Sequence, residues 1–191
     1  MAYNIKDVFF LDTSMTLAAS AAGGTSNQID LSAYVDPTSS SPVGLAVYKV
    51  HFSVNDSSNT NDPAAVDVDE TGIFRAGLIA GLGTGDQTTG NIAFAANTIN
   101  TSNDLMISGF DWCGPDAFGT GVYGMSPSLA PQKFIDPSTE VPYVVVRDNV
   151  CLVAETAANL ATAKTVTMRM ECAKIKLTQA TLNQLLRTQT V

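Results

Sequence analysis

The sequence predicts an all-β chain: a jelly-roll-like antiparallel β-sandwich with long loops and a short C-terminal helix, spanning residues 1–191 as one domain. Three observations lead there. Apolar residues in most regular stretches recur every second position rather than every 3.6, the pattern of half-buried strands. Between them lie long segments rich in Gly, Pro, Ser and Asn, and several strands separated by decorated loops describe a sandwich or jelly roll. A chain of 191 residues is also long enough to bury about 70% of its unfolded surface in one unit.

The elements follow in order. Val8–Leu11 is a first short strand. Asn27–Val35 is a second, with its body at Gln28–Val35, ended by Asp36-Pro37 and the Ser-rich turn Thr38–Pro42. In Leu45–Val54 the alternation places Ala46, Tyr48, Val50, Phe52 and Val54 on one face and Lys49, His51 and Ser53 on the other. Strands are expected at Phe74–Ile79, Asn91–Ala95 and Asp104–Asp111. Val141–Arg147 and Val150–Glu155 flank Asp148-Asn149, a pair that tolerates the positive φ of a tight turn, so a hairpin is expected there.

The terminal strand, Lys164–Leu177, is long and its parity slips. Val166, Met168, Met170 and Cys172 alternate inward, and then Ala173, Ile175 and Leu177 take over. One extra residue near Cys172-Ala173, a β-bulge, would keep both halves on the core. Thr178 can cap a helix running to Arg187, whose Leu182, Leu185 and Leu186 form an apolar stripe. That stripe packs on the sandwich edge or docks on a neighbouring subunit.

Charge is scarce. Asp, Glu, Lys and Arg make up 15% of the residues, against about 25% in an ordinary soluble domain. Their place is taken by 21 Thr, 15 Ser, 12 Asn and 23 Ala. A monomer usually stays soluble behind dense charge of both signs. A neutral polar surface instead lies against neighbours with little charge to desolvate, and interface cores are depleted in Lys, Glu and Asp. The composition therefore predicts a protein packed in an assembly.

Of the net charge of −8, residues 1–146 contribute 4 basic and 15 acidic side chains, and residues 147–191 contribute 6 and 3. The acidic body argues against wrapping nucleic acid. The basic C-terminal segment, with Lys174, Lys176 and Arg187, would face lipid or genome, or else be ordinarily solvated.

Candidate chemistry is thin. Cys113, Cys151 and Cys172 are an odd number without CxxC spacing, which describes neither a disulfide framework nor a zinc site. Cys151 and Cys172 read as small hydrophobes in strands, with a disulfide between them left open. His51 is the single histidine, and no GxSxG elbow accompanies it. No catalytic residue is assigned, and neither an enzyme nor a small-molecule substrate is expected.

Asp67-Val68-Asp69-Glu70-Thr71-Gly72 resembles the front of a calcium loop, but its twelfth position is Leu78, where a glutamate belongs. A structural Ca²⁺ held by Asp67 and Asp69 with loop carbonyls is the one cofactor this leaves; none is otherwise expected. The Gly77–Gly90 stretch lacks the Lys-Ser/Thr of a P-loop. No run approaches about 18 apolar residues, so no membrane helix is expected. Ala18–Ala22 resembles a signal-peptidase site, but Asp7 and Asp12 precede it with Lys6 as the only basic residue, and no cleaved signal is expected.

Phe110-Asp111-Trp112-Cys113-Gly114-Pro115 holds the only tryptophan beside a turn, with Phe118 and Tyr123 following. Such a cluster stacks on a sugar ring when it faces solvent, or plugs the sandwich end.

Asn27–Pro37 followed by Leu45–Val54 looks like the first half of a small viral coat protein, and Tyr143–Leu177 resembles its closing half. In size and layout the chain resembles the single-jelly-roll major capsid proteins of tailless icosahedral viruses of archaea and bacteria, which surround an internal membrane. The resemblance implies a subunit that self-associates into capsomers tiling an icosahedral shell around the genome. It further implies other capsid proteins as partners, residence in the virion and assembly in the host cytoplasm. The contact-bearing residues expected on that reading are Phe9, Phe10, Trp112, Leu182, Leu185 and Leu186. Removing Thr178–Val191 is then expected to leave a folded domain that assembles poorly.

Two other classes compete. A carbohydrate-binding sandwich would stack sugars on Trp112 and Tyr123, with calcium on Asp67 and Asp69. A phage tail-tube or cement protein would share the habit of assembly.

Overall fold

The computed structural model describes residues 7–19, 23–62, 72–81, 91–92, 99–114 and 132–189. Ten strands lie among them: β1 Phe9–Leu17, β2 Gly23–Asp30, β3 Val43–Asp56, β4 Ile73–Ile79, β5 Asn91–Ile92, β6 Met106–Cys113, β7 Gln132–Ile135, β8 Tyr143–Val145, β9 Asn149–Ala158 and β10 Lys164–Lys176. One helix, α1, covers Gln179–Gln189.

The strands form two antiparallel sheets, in the orders β1-β10-β3-β8 (sheet A) and β5-β2-β9-β4-β6-β7 (sheet B). Leave aside the short edge strands β5 and β7, and number the other eight along the chain. Sheet A then reads 1-8-3-6 and sheet B reads 2-7-4-5. Every connection crosses between sheets except that from the fourth to the fifth. This is the jelly-roll order, two Greek keys wrapped into a sandwich.

The core fills the space between the inner faces. Met15, Leu17, Val50, Val54, Val166, Met168, Met170 and Cys172 come from sheet A, and Phe74, Ala76, Leu78, Phe110, Trp112, Val150, Leu152 and Ala154 from sheet B. Phe52 meets Phe110 across the layers at 4.6 Å between ring centroids. Sheet B carries a second apolar cluster made of Ile79, Ile99, Met106, Cys151 and Val153, with Phe134 and Ile135 against it. Residues 150–154 of β9 are therefore buried throughout, neighbours turning to opposite faces. A strand covered on both faces reads as a continuous apolar run.

Several sequence expectations are revised. β1 is longer than Val8–Leu11. β2 ends at Asp30, and residues 31–35 form a turn instead of continuing the strand. The expected hairpin at Asp148-Asn149 does not exist, because β8 pairs with β3 in sheet A and β9 pairs with β2 and β4 in sheet B. Asp148-Asn149 carries the chain between layers, held where Leu31 N–H donates to the Asp148 carbonyl at 2.6 Å.

The irregularity near Cys172 is present, but its extra residue sits in the opposite strand. Glu171 pairs with Lys49 and Cys172 with Val47, which makes Tyr48 of β3 the extra residue of the bulge. Leu45 and Val47 thus join Val50, Phe52 and Val54 on the core side, in place of Ala46 and Tyr48. Thr178 caps α1 as expected, its Oγ1 accepting from Thr181 N–H at 3.2 Å.

The three cysteines are free thiols. Cys172 faces the inter-sheet core and Cys151 the second cluster. Burial pushes the Cys172 thiol up to about 12. Among the described residues, no helix is long and apolar enough to cross a membrane.

Candidate assembly surface

The outer face of sheet A follows from strand alternation and register. In β1, Phe9, Leu11, Thr13, Met15 and Leu17 turn toward the core, so Phe10, Asp12, Ser14 and Thr16 turn outward. Pairing across β10 into β3 aligns them in rows: Phe10–Glu171–Lys49, Asp12–Arg169–His51, Ser14–Thr167–Ser53 and Thr16–Thr165–Asn55. Strands stand about 4.8 Å apart, and outward residues repeat about every 6.8 Å along each one.

The first two rows carry all the charge. His51 Nε2 lies 2.7 Å from Glu171 Oε1, and the Arg169 guanidinium stands 5.8 Å from the centroid of the Phe10 ring. The other two rows hold only hydroxyls and one amide. Hydroxyls donate or accept as the neighbour requires, and no ion there has to leave water when another surface covers them.

The two edges of sheet A differ. At β8 the side chain of Gln189, 3% exposed at the end of α1, acts as a substitute strand. Its Oε1 accepts from Val146 N–H at 3.2 Å and its Nε2 donates to the Val144 carbonyl at 2.6 Å. That closes the edge, one of the devices by which proteins prevent stray strand pairing.

Among the described residues, no strand pairs with the outer edge of β1. The β1–β10 ladder runs without a register shift, so backbone groups alternate between the two sides of the strand. The Ser14 carbonyl, which accepts from Asn27 Nδ2 at 2.7 Å, fixes the phase. The N–H and C=O groups of Phe10 and Asp12 therefore point away from β10.

The candidate residues separate in space. Phe10 is 55% exposed on the outer face. Phe9, its neighbour, turns inward and stacks on Tyr34 at 5.1 Å. Trp112 is a core residue, 4% exposed and stacked on Phe74 at 5.1 Å. It shares the inward parity of Phe110, so the expectation that it bears subunit contacts or stacks on a sugar is corrected.

Leu182 is also interior, at 1% exposed, and Leu185 and Leu186 are half-buried. The helix stripe thus packs mainly on its own domain. Because α1 ends at β8 and Phe10 lies on β1, with β10 and β3 between, these residues do not form one patch. Asp67, Asp69 and Tyr123 lie outside the described residues.

The basic C-terminal segment is also dispersed. Lys164 is buried 3.9 Å from Asp56. Lys174 donates to the Ala33 carbonyl at 2.9 Å while lying over the Tyr34 ring. Lys176 and Arg187 are exposed. Among the described residues, no group of three His, Cys, Asp or Glu side chains converges as a metal site.

Asp12, Arg169, Glu171, Asn27 and Gln189 escape sequence reasoning. The first three are outward positions of their strands, but their meeting depends on register. For Gln189 the sequence offers no signal beyond its place at a helix end. Compared with known proteins, the sequence matches no protein-family model and no curated sequence.

Proposed function

We propose that this chain is a structural subunit that self-associates into a shell, in the manner of the small coat proteins of tailless icosahedral viruses. The observation that supports this best is the jelly-roll strand order together with an outer face on sheet A that is half neutral hydroxyl and amide. Jelly rolls serve viral capsids, lectins and cupins, so the surface must choose among them. The lectin alternative loses Trp112, one of its two stacking residues, to the interior. A cupin-like metal site would draw on several histidines, and the chain has one, His51, standing outward beside Glu171.

In this role the work is mechanical. Subunits meet through surfaces with little charge to desolvate, and the closed β8 edge directs association elsewhere. Shell proteins that surround genome and membrane are the intended partners, within the virion.

Negative-stain electron microscopy of the purified chain tests the proposal. Closed shells, rings or sheets of regular repeat are expected as concentration rises. Tubes would assign the chain to tail-tube architecture, and featureless fields at every concentration and salt would overturn the proposal.

A further inference from the structure

We propose that the open edge of β1 is a two-fold contact, at which two copies of the chain join their β1 strands antiparallel and run the two A sheets into one. This deepens the reading of the chain as a self-associating subunit and rests on it. Four observations carry it.

First, the edge is long, and among the described residues no strand covers it. β1 spans Phe9–Leu17, nine residues without Pro, Lys or a bulge, the usual means of blunting an edge. Second, the opposite edge of the same sheet is closed by the Gln189 amide. Third, of the three most exposed large apolar side chains among the described residues, two stand at the leading end of this strand: Val8 at 44% and Phe10 at 55%.

Fourth, the strand is complementary to itself in one register. Within β1 the outward residues Phe10, Asp12, Ser14 and Thr16 offer backbone groups to a partner, so they must exchange hydrogen bonds with one another. Centring the two-fold on Asp12 sets that carboxylate against its own copy, and directly opposed like charges are destabilising. Centring it on Thr13 requires the Ser14 carbonyl, which Asn27 already holds.

Centring it on Leu11 keeps the two Asp12 carboxylates apart and sets Ser14 opposite the partner's Val8, which precedes the strand, so the Ser14 carbonyl can stay with Asn27. Phe10 exchanges both backbone bonds with the partner's Asp12, and Asp12 with the partner's Phe10. On the outer face each Asp12 then lies between a phenyl ring and its own Arg169. On the inner side Leu11 meets the partner's Leu11, and Phe9 meets the partner's Thr13. The half-buried Phe9 and Leu11 lose their remaining contact with water.

Register-specific cross-linking tests this. Leu11 and the partner's Leu11 form a non-hydrogen-bonded pair with Cα atoms about 4.5 Å apart, within the roughly 4.4–6.8 Å that a disulfide spans. In a full-length chain carrying Cys113→Ser, Leu11→Cys is expected to give, on oxidation, a covalent species of twice the 20.0 kDa chain mass. Thr13→Cys, which faces the partner's Phe9, is expected to give no covalent dimer.

Asp12→Pro removes an N–H that points off the edge, together with the exposed carboxylate beside it, and takes no backbone bond from the β1–β10 ladder. It is expected to weaken dimerisation at least about ten-fold by sedimentation, with the far-ultraviolet dichroism unchanged. Should the proline variant not fold, Phe10→Asp at an exposed site delivers the same break by setting a carboxylate against the partner's Asp12. Absent cross-linking of Leu11→Cys, or equal cross-linking of both cysteine variants, overturns the contact. If light scattering still shows large assemblies in that case, self-association survives without this edge. A chain monomeric throughout removes both.

Discussion

Replacing Gln189 tests how sheet A is kept from pairing at the wrong edge. In Gln189→Ala the Val146 N–H and the Val144 carbonyl lose their side-chain partners, at 3.2 and 2.6 Å. Each hydrogen bond contributes about 1 kcal/mol net, and a buried group left unpaired costs about 1–3 kcal/mol. Water can reach part of an edge strand, so the expected loss is about 2–3 kcal/mol. With a urea m-value of about 2 kcal/mol/M, the midpoint should fall by about 1–1.5 M.

Gln189→Glu is expected to be worse at neutral pH. The introduced carboxylate cannot donate to the Val144 carbonyl, and it sits at the negative end of the α1 dipole. Both effects raise its folded pKa above the ordinary value of about 4.3. The sign follows: the protonated acid can still donate, so the deficit relative to wild type is small below that value. It grows as pH rises through the folded pKa. Urea titrations of the three proteins at pH 4 and pH 7 measure this. Equal midpoints for all three at both values would refute the edge-cap reasoning.

Further outcomes follow from the same packing. Trp112→Ala should cost about 3–5 kcal/mol, and wild-type tryptophan fluorescence should be blue-shifted and indifferent to added sugars. A sugar-dependent change would contradict the interior placement of the indole. Gly109→Ala should lower the thermal midpoint, because a Cβ there would collide with the Phe134 ring. That ring is covered from elsewhere by Arg75, which Asp111 holds through two bonds of 2.6 and 2.9 Å; overpacking of this kind costs about 1–3 kcal/mol. Thiol titration with a chromogenic disulfide at pH 8 should find Cys151 and Cys172 unreactive in the folded chain. Cys113 should react slowly, its thiol raised by burial and then by Asp111, and all three should react after denaturation.

Features set by local chemistry were legible in the sequence. The inward series Val166, Met168, Met170 and Cys172 and the Thr178 cap need only near neighbours, and the structure bears both out. The hairpin at Asp148-Asn149 misled because turn chemistry says where a chain reverses, not whether it returns to the same sheet. Tyr143–Val146 and Val150–Ala154 are both continuous apolar runs, so their sequences do not say that they belong to different sheets. Trp112 looked superficial because Gly114-Pro115 follows it, although its parity with Phe110 placed it inside. The surface rows of sheet A, and the open edge beside them, depend on which residues of β1, β10 and β3 stand opposite one another. That register is a property of the folded sheet, including the Tyr48 bulge, and no single segment encodes it.

The most direct test of the proposed self-association is light scattering with size separation of the full-length chain, from micromolar to near-millimolar concentration and across salt. A weight-average mass that climbs from the 20.0 kDa chain through a dimer to large regular particles is the expected result. A mass that stays at one chain under every condition would contradict the reading of this jelly roll as a self-assembling structural subunit.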